Sequence, residues 1–173
     1  ARMQTCRETV EKIANGTTPV YGINTGFGSL SQVRIEHEGL LELQRNIVHS
    51  HAAGVGEPLP GDVVRGMMLV LAASLARAHS GVRPEVVDRL IHLLNTHITP
   101  VVPSRGSVGA SGDLAPLAHI ALVITGEGEA TFLGQRQPTA LIDTTTSSSG
   151  IQLDAKEGLV LLNGTHMMCA IGA

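Results

Sequence analysis

Aromatic side chains are nearly missing from this sequence of 173 residues, which has one Tyr, two Phe and no Trp. So few stacking platforms argue against a surface for single-stranded nucleic acid. A formal net charge of −3 shows none of the basic excess of a duplex-binding domain. Cysteine is scarce as well. Cys6 and Cys169 stand far apart with no CxxC pair, which excludes a disulfide framework and a cysteine-based zinc site and fits a reducing, cytoplasmic setting. Long apolar runs are absent: the stretch GMMLVLAASLA between Arg65 and Arg77 is too short to span a bilayer, and the first residues are too charged for a signal peptide. Charged residues make up only 16% of the chain, against about 25% in ordinary soluble domains. We therefore expect part of the surface to be buried against a partner. The sequence starts at Ala1 and stops in the apolar run MMCAIGA, and we expect both ends to be internal to a longer chain.

What is present is helical periodicity. Leu40, Leu43, Ile47 and His51 give the segment Glu38–Ala53 one apolar face that ends on a histidine. A Gly- and Pro-rich turn follows over 54–61. Asp62 is then expected to cap a helix with Val64, Met67, Met68, Leu71, Leu75 and Ala78 in one stripe. Pro84 suits the first position of a third helix with Val87, Leu90, Ile91 and Leu94 inward, stopped by Pro100 and Pro103. Asp113–Thr125 reads as a fourth helix that tolerates Pro116 in its first turn. Asp154 and Glu157 have capping-box spacing ahead of a fifth, and Asn163-Gly164 is a stop signal. Residues 130–139 read as a β-hairpin around Gly134, and the polar run 144–150 as an exposed loop. The expected architecture is one mainly α domain over 1–173 with a small β element and no internal repeat.

Two glycine-rich segments carry the chemistry. In Tyr21-Gly-Ile-Asn-Thr-Gly-Phe-Gly the glycine spacing matches neither a dinucleotide fingerprint nor a P-loop, and no Gly-Lys-Ser/Thr occurs, so nucleotide binding is unsupported. The segment is either a mobile turn or a loop that presents the chain's only phenol as a general acid or base. In Gly106-Ser-Val-Gly-Ala-Ser-Gly-Asp the residue two after Ser111 is Asp113, so a G-x-S-x-G nucleophile elbow fails. Ala110-Ser111-Gly112 suits a rarer chemistry. The unhindered Gly112 nitrogen can attack the Ala110 carbonyl, loss of water closes an imidazolone ring, and elimination of the Ser111 hydroxyl leaves an exocyclic methylidene, a carbon electrophile. The following helix start places positive dipole beside it. An ordinary turn is the plain alternative for the same tripeptide.

Four motifs, VYGINTGFG (20–28), LQRNIVHSHAAGVGEPL (43–59), GSVGASGDLAPLAH (106–119) and EGLVLLNGT (157–165), resemble the aromatic amino-acid ammonia-lyases in their order and spacing. The resemblance runs from about Thr18 to Thr165. Within that family Ser50-His51 is similar to the histidine-specific members, whereas phenylalanine and tyrosine enzymes are expected to carry other pairs there. The resemblance implies the prosthetic group 4-methylidene-imidazole-5-one (MIO), formed autocatalytically from Ala110, Ser111 and Gly112, with no metal and no nucleotide. It implies Tyr21 as the base for a substrate β-proton, His51 as the contact to the imidazole ring, and Asn163 as support for MIO and substrate. By default a histidine on an apolar helical face is a satisfied core residue, and an Asn before Gly is a helix cap. The other histidines form no convincing ligand set, and Met67 and Met68 read as core or interface filler.

The implied reaction is L-histidine to trans-urocanate and ammonia, in a cytoplasmic homotetramer with no membrane or nucleic-acid partner. The implied fold is the N-terminal, MIO-bearing domain of the ammonia-lyase fold without its long C-terminal helical bundle. That absent portion supplies a glutamine, a second tyrosine, an arginine for the substrate carboxylate and a glutamate, so the 173 residues are expected to be inactive alone. A phenylalanine or tyrosine lyase or aminomutase is the alternative within the family. A catalytically silent fragment that serves only assembly is the alternative outside it.

Overall fold

The structure is a computed structural model that describes residues 1–108, 112–146 and 149–173. At its centre is α5 (Leu114–Ile124), whose Leu117, Ala118, Ile120, Ala121, Val123 and Ile124 are all fully buried. An eleven-residue helix this apolar all round can only be a core element. The expected boundaries hold, with Pro116 in the first turn, where a missing N–H removes no intrahelical bond. Around α5 pack α2 (His37–His51), α4 (Pro84–Asn95) and α7 (Glu157–Leu162), while α3 (Gly61–Ala76) lies against α4 and α8 (His166–Gly172). Truncating any one of the fully buried leucines or isoleucines to alanine is expected to destabilise by about 2–5 kcal/mol.

The stripe on α2 is as expected, with Leu40 and Ile47 buried and Leu43 and His51 half-buried. Gln44 is also buried on this face. The turn expected over 54–61 instead contains β1 (Val55–Pro58), paired antiparallel with β3 (Pro103–Arg105). A two-stranded ribbon leaves each strand an open edge, and that is where prolines are tolerated. Asp62 is not the cap of α3: the helix starts one residue earlier, with Pro60 as the flanking residue. The Asp62 carboxylate accepts the Val63 N–H at 2.9 Å inside the first turn, at the positive end of the helix. Val64, Met67, Met68, Leu71 and Leu75 are buried as expected. Ala78 lies past the end of α3, in the left-handed region at φ 64°.

Pro84 opens α4. The buried face, however, is Val86, Val87, Leu90 and Leu93, and Ile91, expected inward, is 44% exposed. Two apolar stripes overlap on this helix, and the one at 86, 90 and 93 meets the core. Arg89, on the same side, is buried by its ion pair to Asp143 at 2.7 Å. The helix ends at Asn95, before the prolines. The Thr96 hydroxyl donates to the His92 carbonyl at 2.7 Å, and the chain reverses at His97 with φ 57°. Pro100 then belongs to β2 (Thr99–Pro100) and Pro103 to β3, so neither is the helix stop.

The hairpin is β4 (Glu129–Phe132) and β5 (Gln135–Pro138), joined by Leu133-Gly134, both at positive φ (50° and 76°). That is the mirror-image turn whose twist matches the strands. β2 adds to it in the order β2-β4-β5. The polar run expected to be a loop contributes Thr144 and Thr145 to α6 (Thr139–Thr146), while Ser147 and Ser148 lie outside the described residues. The two threonine hydroxyls bond back to the carbonyls of Ala140 and Leu141, and Ile142 and Asp143 on the other face are buried. The helix is thus formed by burial that the polar surface pattern conceals.

At the N-terminus, α1 (Arg2–Ala14) buries Arg7 and places Val10 and Ala14 in a second, smaller cluster with Ile23, Leu40 and Ala155. Asp154 and Glu157 realise half of the capping box. Glu157 accepts the Asp154 N–H at 2.8 Å, but Lys156, at φ 74°, flanks α7. The Asp154 carboxylate is turned away to Arg7 at 2.6 Å. Glu157, fully buried, also takes the Arg83 N–H at 2.9 Å and Arg83 Nη2 at 2.9 Å. Arg7, Arg83, Asp154 and Glu157 therefore clamp α1, the start of α4 and α7 together. Among the described residues, no helix is long and apolar enough to cross a membrane.

Candidate active site

The site forms where α7 stops. Asn163 leaves the helix in an extended conformation (φ −97°, ψ 99°), as the Asn-Gly stop signal anticipates. Its Oδ1 lies 3.2 Å from where a Cβ on Gly112 would stand. Gly112 has φ 116°, a conformation that L side chains rarely adopt. Two expected site residues, 51 positions apart in sequence, thus approach closely, with little room for a side chain on Gly112. Of the triplet expected to form the ring, Gly112 is described, while Ala110 and Ser111 lie outside the described residues.

The two strands of chain that meet here are laced together. The Asp113 N–H donates to the Gly164 carbonyl at 2.6 Å. The Asp113 carboxylate, fully buried, accepts the Ser107 hydroxyl at 2.7 Å and the Met167 N–H at 2.9 Å, with the Met168 N–H at 3.4 Å. It caps α8 from another segment, satisfying N–H groups that a helix start leaves open. Gly164 is required for a different reason. The His166 imidazole occupies the space that a Cβ on Gly164 would need. Burial pushes the His166 pKa down, and Asp113 pulls weakly the other way.

His51 is the last residue of α2 and half-buried. Its Nδ1 lies 2.8 Å from the Ile47 carbonyl. A carbonyl only accepts, so Nδ1 is the nitrogen that donates in this bond, and Nε2 is left outside it. The Ser50 hydroxyl, which donates to the same carbonyl at 3.0 Å, sits 2.9 Å from Nδ1. Just beyond, the Gly54 N–H donates to Nε2 of His119 on α5 at 3.2 Å. That bond needs an unprotonated Nε2, and burial lowers the His119 pKa in the same direction.

Tyr21 is 58% exposed and meets Phe27 edge-to-face at 6.2 Å between ring centroids. Its loop is anchored through buried Asn24. Asn24 Oδ1 accepts the Val20 N–H at 2.7 Å, and Nδ2 donates to the carbonyls of Ile13 and Thr18 at 3.1 Å each. Gly22, at φ 74°, lies so close to α7 that a Cβ would come within 2.7 Å of Leu159 Cδ2. The loop of Tyr21 and the helix that ends in His51 both pack against α7, the helix that ends at Asn163. Among the described residues, Tyr21 and His51 share no hydrogen bond with Asn163.

Sequence reasoning missed the residues that hold this arrangement: Asn24, Gln44, Asp113, Glu157 and His119. For Gln44 a signal existed, a polar residue on the buried stripe of α2. For Asp113, Glu157 and His119 the decisive partners are too remote in sequence to be read, whereas Asn24 bonds within its own neighbourhood in a loop without periodicity. A groove of about 600 Å³ along the outer face of α2, bordered by Glu38, Glu42, Arg45 and Glu127, contains none of the expected site residues.

Known proteins resemble this chain over nearly its whole length. The family model described as aromatic amino acid lyase matches residues 1–173. The chain is 54% identical over 172 residues to a histidine ammonia-lyase from Stigmatella aurantiaca, covering 99% of this chain and 34% of that relative. Among solved structures, histidine ammonia-lyase from Trypanosoma cruzi superposes with a TM-score of 0.90 at 38% identity, over 99% of this chain and 33% of that one. Pantoea agglomerans phenylalanine aminomutase gives 0.92 at 34% identity, over 99% and 33%. The chain spans about a third of the length of the relatives it matches. With its mainly helical architecture, the hairpin on one side and Asn163 seated on Gly112, this chain belongs to the aromatic amino acid lyase family.

Proposed function

We propose that these 173 residues are the N-terminal, MIO-bearing part of a histidine ammonia-lyase, which eliminates ammonia from L-histidine to give trans-urocanate. The observation that carries the reading is the seat formed by Gly112, Asn163 and the Asp113–Gly164 hydrogen bond. The residues present fit the group. Ring closure through the Gly112 nitrogen requires an unsubstituted, permissive α-carbon, which the φ of 116° at Gly112 supplies. The seat also opens directly onto the N-terminus of α5, where roughly half a positive charge favours electron withdrawal. Once formed, MIO supplies an electrophilic carbon that makes the substrate amine a better leaving group.

The chain's own residues take the remaining roles. The exposed Tyr21 oxygen acts as base in its phenolate form: it takes the poorly acidic β-proton and becomes the hydroxyl as the C–N bond breaks, and the electron pair left on carbon becomes the new double bond. His51, protonated on Nδ1, offers Nε2 as acceptor to an imidazole N–H of the substrate. Asn163 holds the MIO segment and the substrate beside it. The rest of the chain, a homotetrameric assembly and a cytoplasmic location belong to the same proposal. Unpaired Cys6 and Cys169 support a reducing compartment. The identity to proteins named histidine ammonia-lyase supports histidine as substrate, whereas the equal superposition on an aminomutase keeps a phenylalanine or tyrosine lyase or aminomutase as the second reading.

The test is an absorbance assay on the full-length protein with histidine, phenylalanine and tyrosine. Urocanate from histidine is the expected result, and cinnamate or coumarate instead would overturn it. Intact mass gives an independent readout of maturation. The mature chain is lighter by two water molecules, and Ser111→Ala abolishes the difference. An unshifted wild-type mass identifies a catalytically silent protein.

A further inference from the structure

We infer that Gln44 is a positioning residue of this active site, fixing the separation between His51 and Asn163. Gln44 lies on the helix that ends in His51, about two helical turns before it. Its side chain is buried at 1% exposure, an unusual place for an amide unless its polar atoms are engaged. Oε1 accepts two backbone N–H groups at the start of α7, from Gly158 at 2.9 Å and Leu159 at 3.3 Å. These are open donors of a helix start, so one side chain of α2 caps α7. The approach is close. A Cβ on Gly158 would stand 2.6 Å from the Gln44 carbonyl oxygen, 3.0 Å from Oε1 and 3.0 Å from Ile47 Cγ2.

α7 has only six residues and ends at Asn163. A helix this short has little intrinsic stability, so its position is set by its anchors. Glu157 ties it to Arg83 and Arg7, on elements that carry no expected site residue. Gln44 ties it to the helix of His51. A slip of α7 along α2 displaces Asn163 from His51 and from Gly112 together, and misplacement of reacting groups by about 1 Å is expected to cost on the order of 100-fold in rate.

The inference rests on the ammonia-lyase reading and is tested in the full-length protein with Gln44→Met, which keeps the side-chain length and removes the acceptor, and Gln44→Glu, which keeps an oxygen facing the positive end of α7. The expected result for Gln44→Met is a kcat lower by about 10- to 100-fold, a KM for histidine that changes far less, and faster hydrogen exchange at Gly158 and Leu159. Gln44→Glu restores both the rate and the protection. In an Asn163→Ala background Gln44→Met adds little further loss, because the group it positions is gone, whereas a merely structural loss adds in full. Leu90→Ala is the control, lowering the melting temperature without changing kcat well below it.

Wild-type kcat in a folded Gln44→Met protein overturns the inference, as does full additivity with Asn163→Ala. If Gln44→Met does not fold, Gln44→Glu decides: protected α7 amides with near-wild-type kcat support the inference, and protected amides with a large loss refute it. A wild-type protein that makes no urocanate refutes the substrate reading separately. The exchange and additivity arms are then read with whichever aromatic amino acid is turned over.

Discussion

Replacing Glu157 by Gln removes one charge from a fully buried site and leaves the side-chain shape almost unchanged, so its effect isolates electrostatics. The carboxylate accepts the Arg83 N–H at 2.9 Å and Nε at 3.1 Å on one oxygen. On the other it accepts Arg83 Nη2 at 2.9 Å and the Asp154 N–H at 2.8 Å, with Arg7 Nη1 3.8 Å from the group. An amide has one acceptor oxygen, so either orientation turns an NH₂ toward two donors. Removing one partner of a buried ion pair is typically destabilising by about 3–5 kcal/mol. Arg7 keeps Asp154, and Arg83 is 28% exposed and keeps Glu85, which places the expected effect near the lower end, about 3 kcal/mol. For a domain of this size that corresponds to a fall of roughly 6–12 °C in melting temperature, read by far-UV circular dichroism. Concentrated salt distinguishes the cause. At about 1 M the screening length is near 3 Å, which weakens an exposed pair such as Arg136–Glu129 but does not reach a buried one. A fall below about 2 °C, or a wild-type protein that loses the same stability in salt, refutes this reasoning.

Tyr21→Phe keeps the ring contact with Phe27 and removes an exposed hydroxyl, so melting is expected to stay unchanged while turnover of the full-length protein falls by about 10²–10⁴-fold; unchanged turnover excludes Tyr21 as the base. Gly164→Ala drives a methyl group into the His166 ring and is expected to destabilise by about 1–3 kcal/mol, with His166→Ala in the same chain restoring the melting temperature; no restoration would show that the glycine is needed for another reason. His119 and His166 both have folded-state pKa values below the ordinary 6.5. The unfolded chain therefore takes up protons first, and their contribution to stability is full above about pH 6.5 and declines as the pH falls below it. A melting series on the acid side should show that decline, and His119→Gln, which keeps an acceptor for the Gly54 N–H, should flatten it. A parallel slope in the variant contradicts the assignment.

The parts of this fold that could be read from sequence are those in which one local rule decides the outcome. The α2 stripe, Pro84 at a helix start, the Leu133-Gly134 turn and the Asn163-Gly164 stop each follow from periodicity or backbone preference within a few residues. Where two local signals compete, the sequence does not choose. On α4 the stripes at 86/90/93 and 87/91/94 are equally apolar, and only the packing partner exposes Ile91. A polar pattern also misled. Thr144 and Thr145 suggest a loop, yet their hydroxyls are satisfied inside α6. Residues 2–14 carry no expected element, yet they form α1, and Arg7 is buried to 1% exposure by Asp154 and the Ala155 carbonyl across the fold.

The same distinction applies to the site. Tyr21, His51, Gly112 and Asn163 are visible because the proposed chemistry demands particular residue types in motifs of recognisable spacing. The residues that place them lie inside the same motifs, where nothing local shows what they reach. Asp113 reaches an N–H 54 positions away, Glu157 reaches Arg83 74 positions away, and Gln44 reaches Gly158 114 positions away. Each is a buried acceptor; Gln44 shows as a polar side chain on an apolar stripe, and Asp113 and Glu157 only as helix-start residues, with their remote donors unseen. A buried acceptor without its donors is strongly unfavourable, so each of these side chains specifies one packing of two remote segments and penalises neighbouring registers. The reacting groups are held by loop ends and a six-residue helix, elements that would not keep their places by hydrophobic contact alone. Precision at the site therefore comes from the polar residues of the core, and substitutions there should separate activity from stability more sharply than substitutions among the leucines around them.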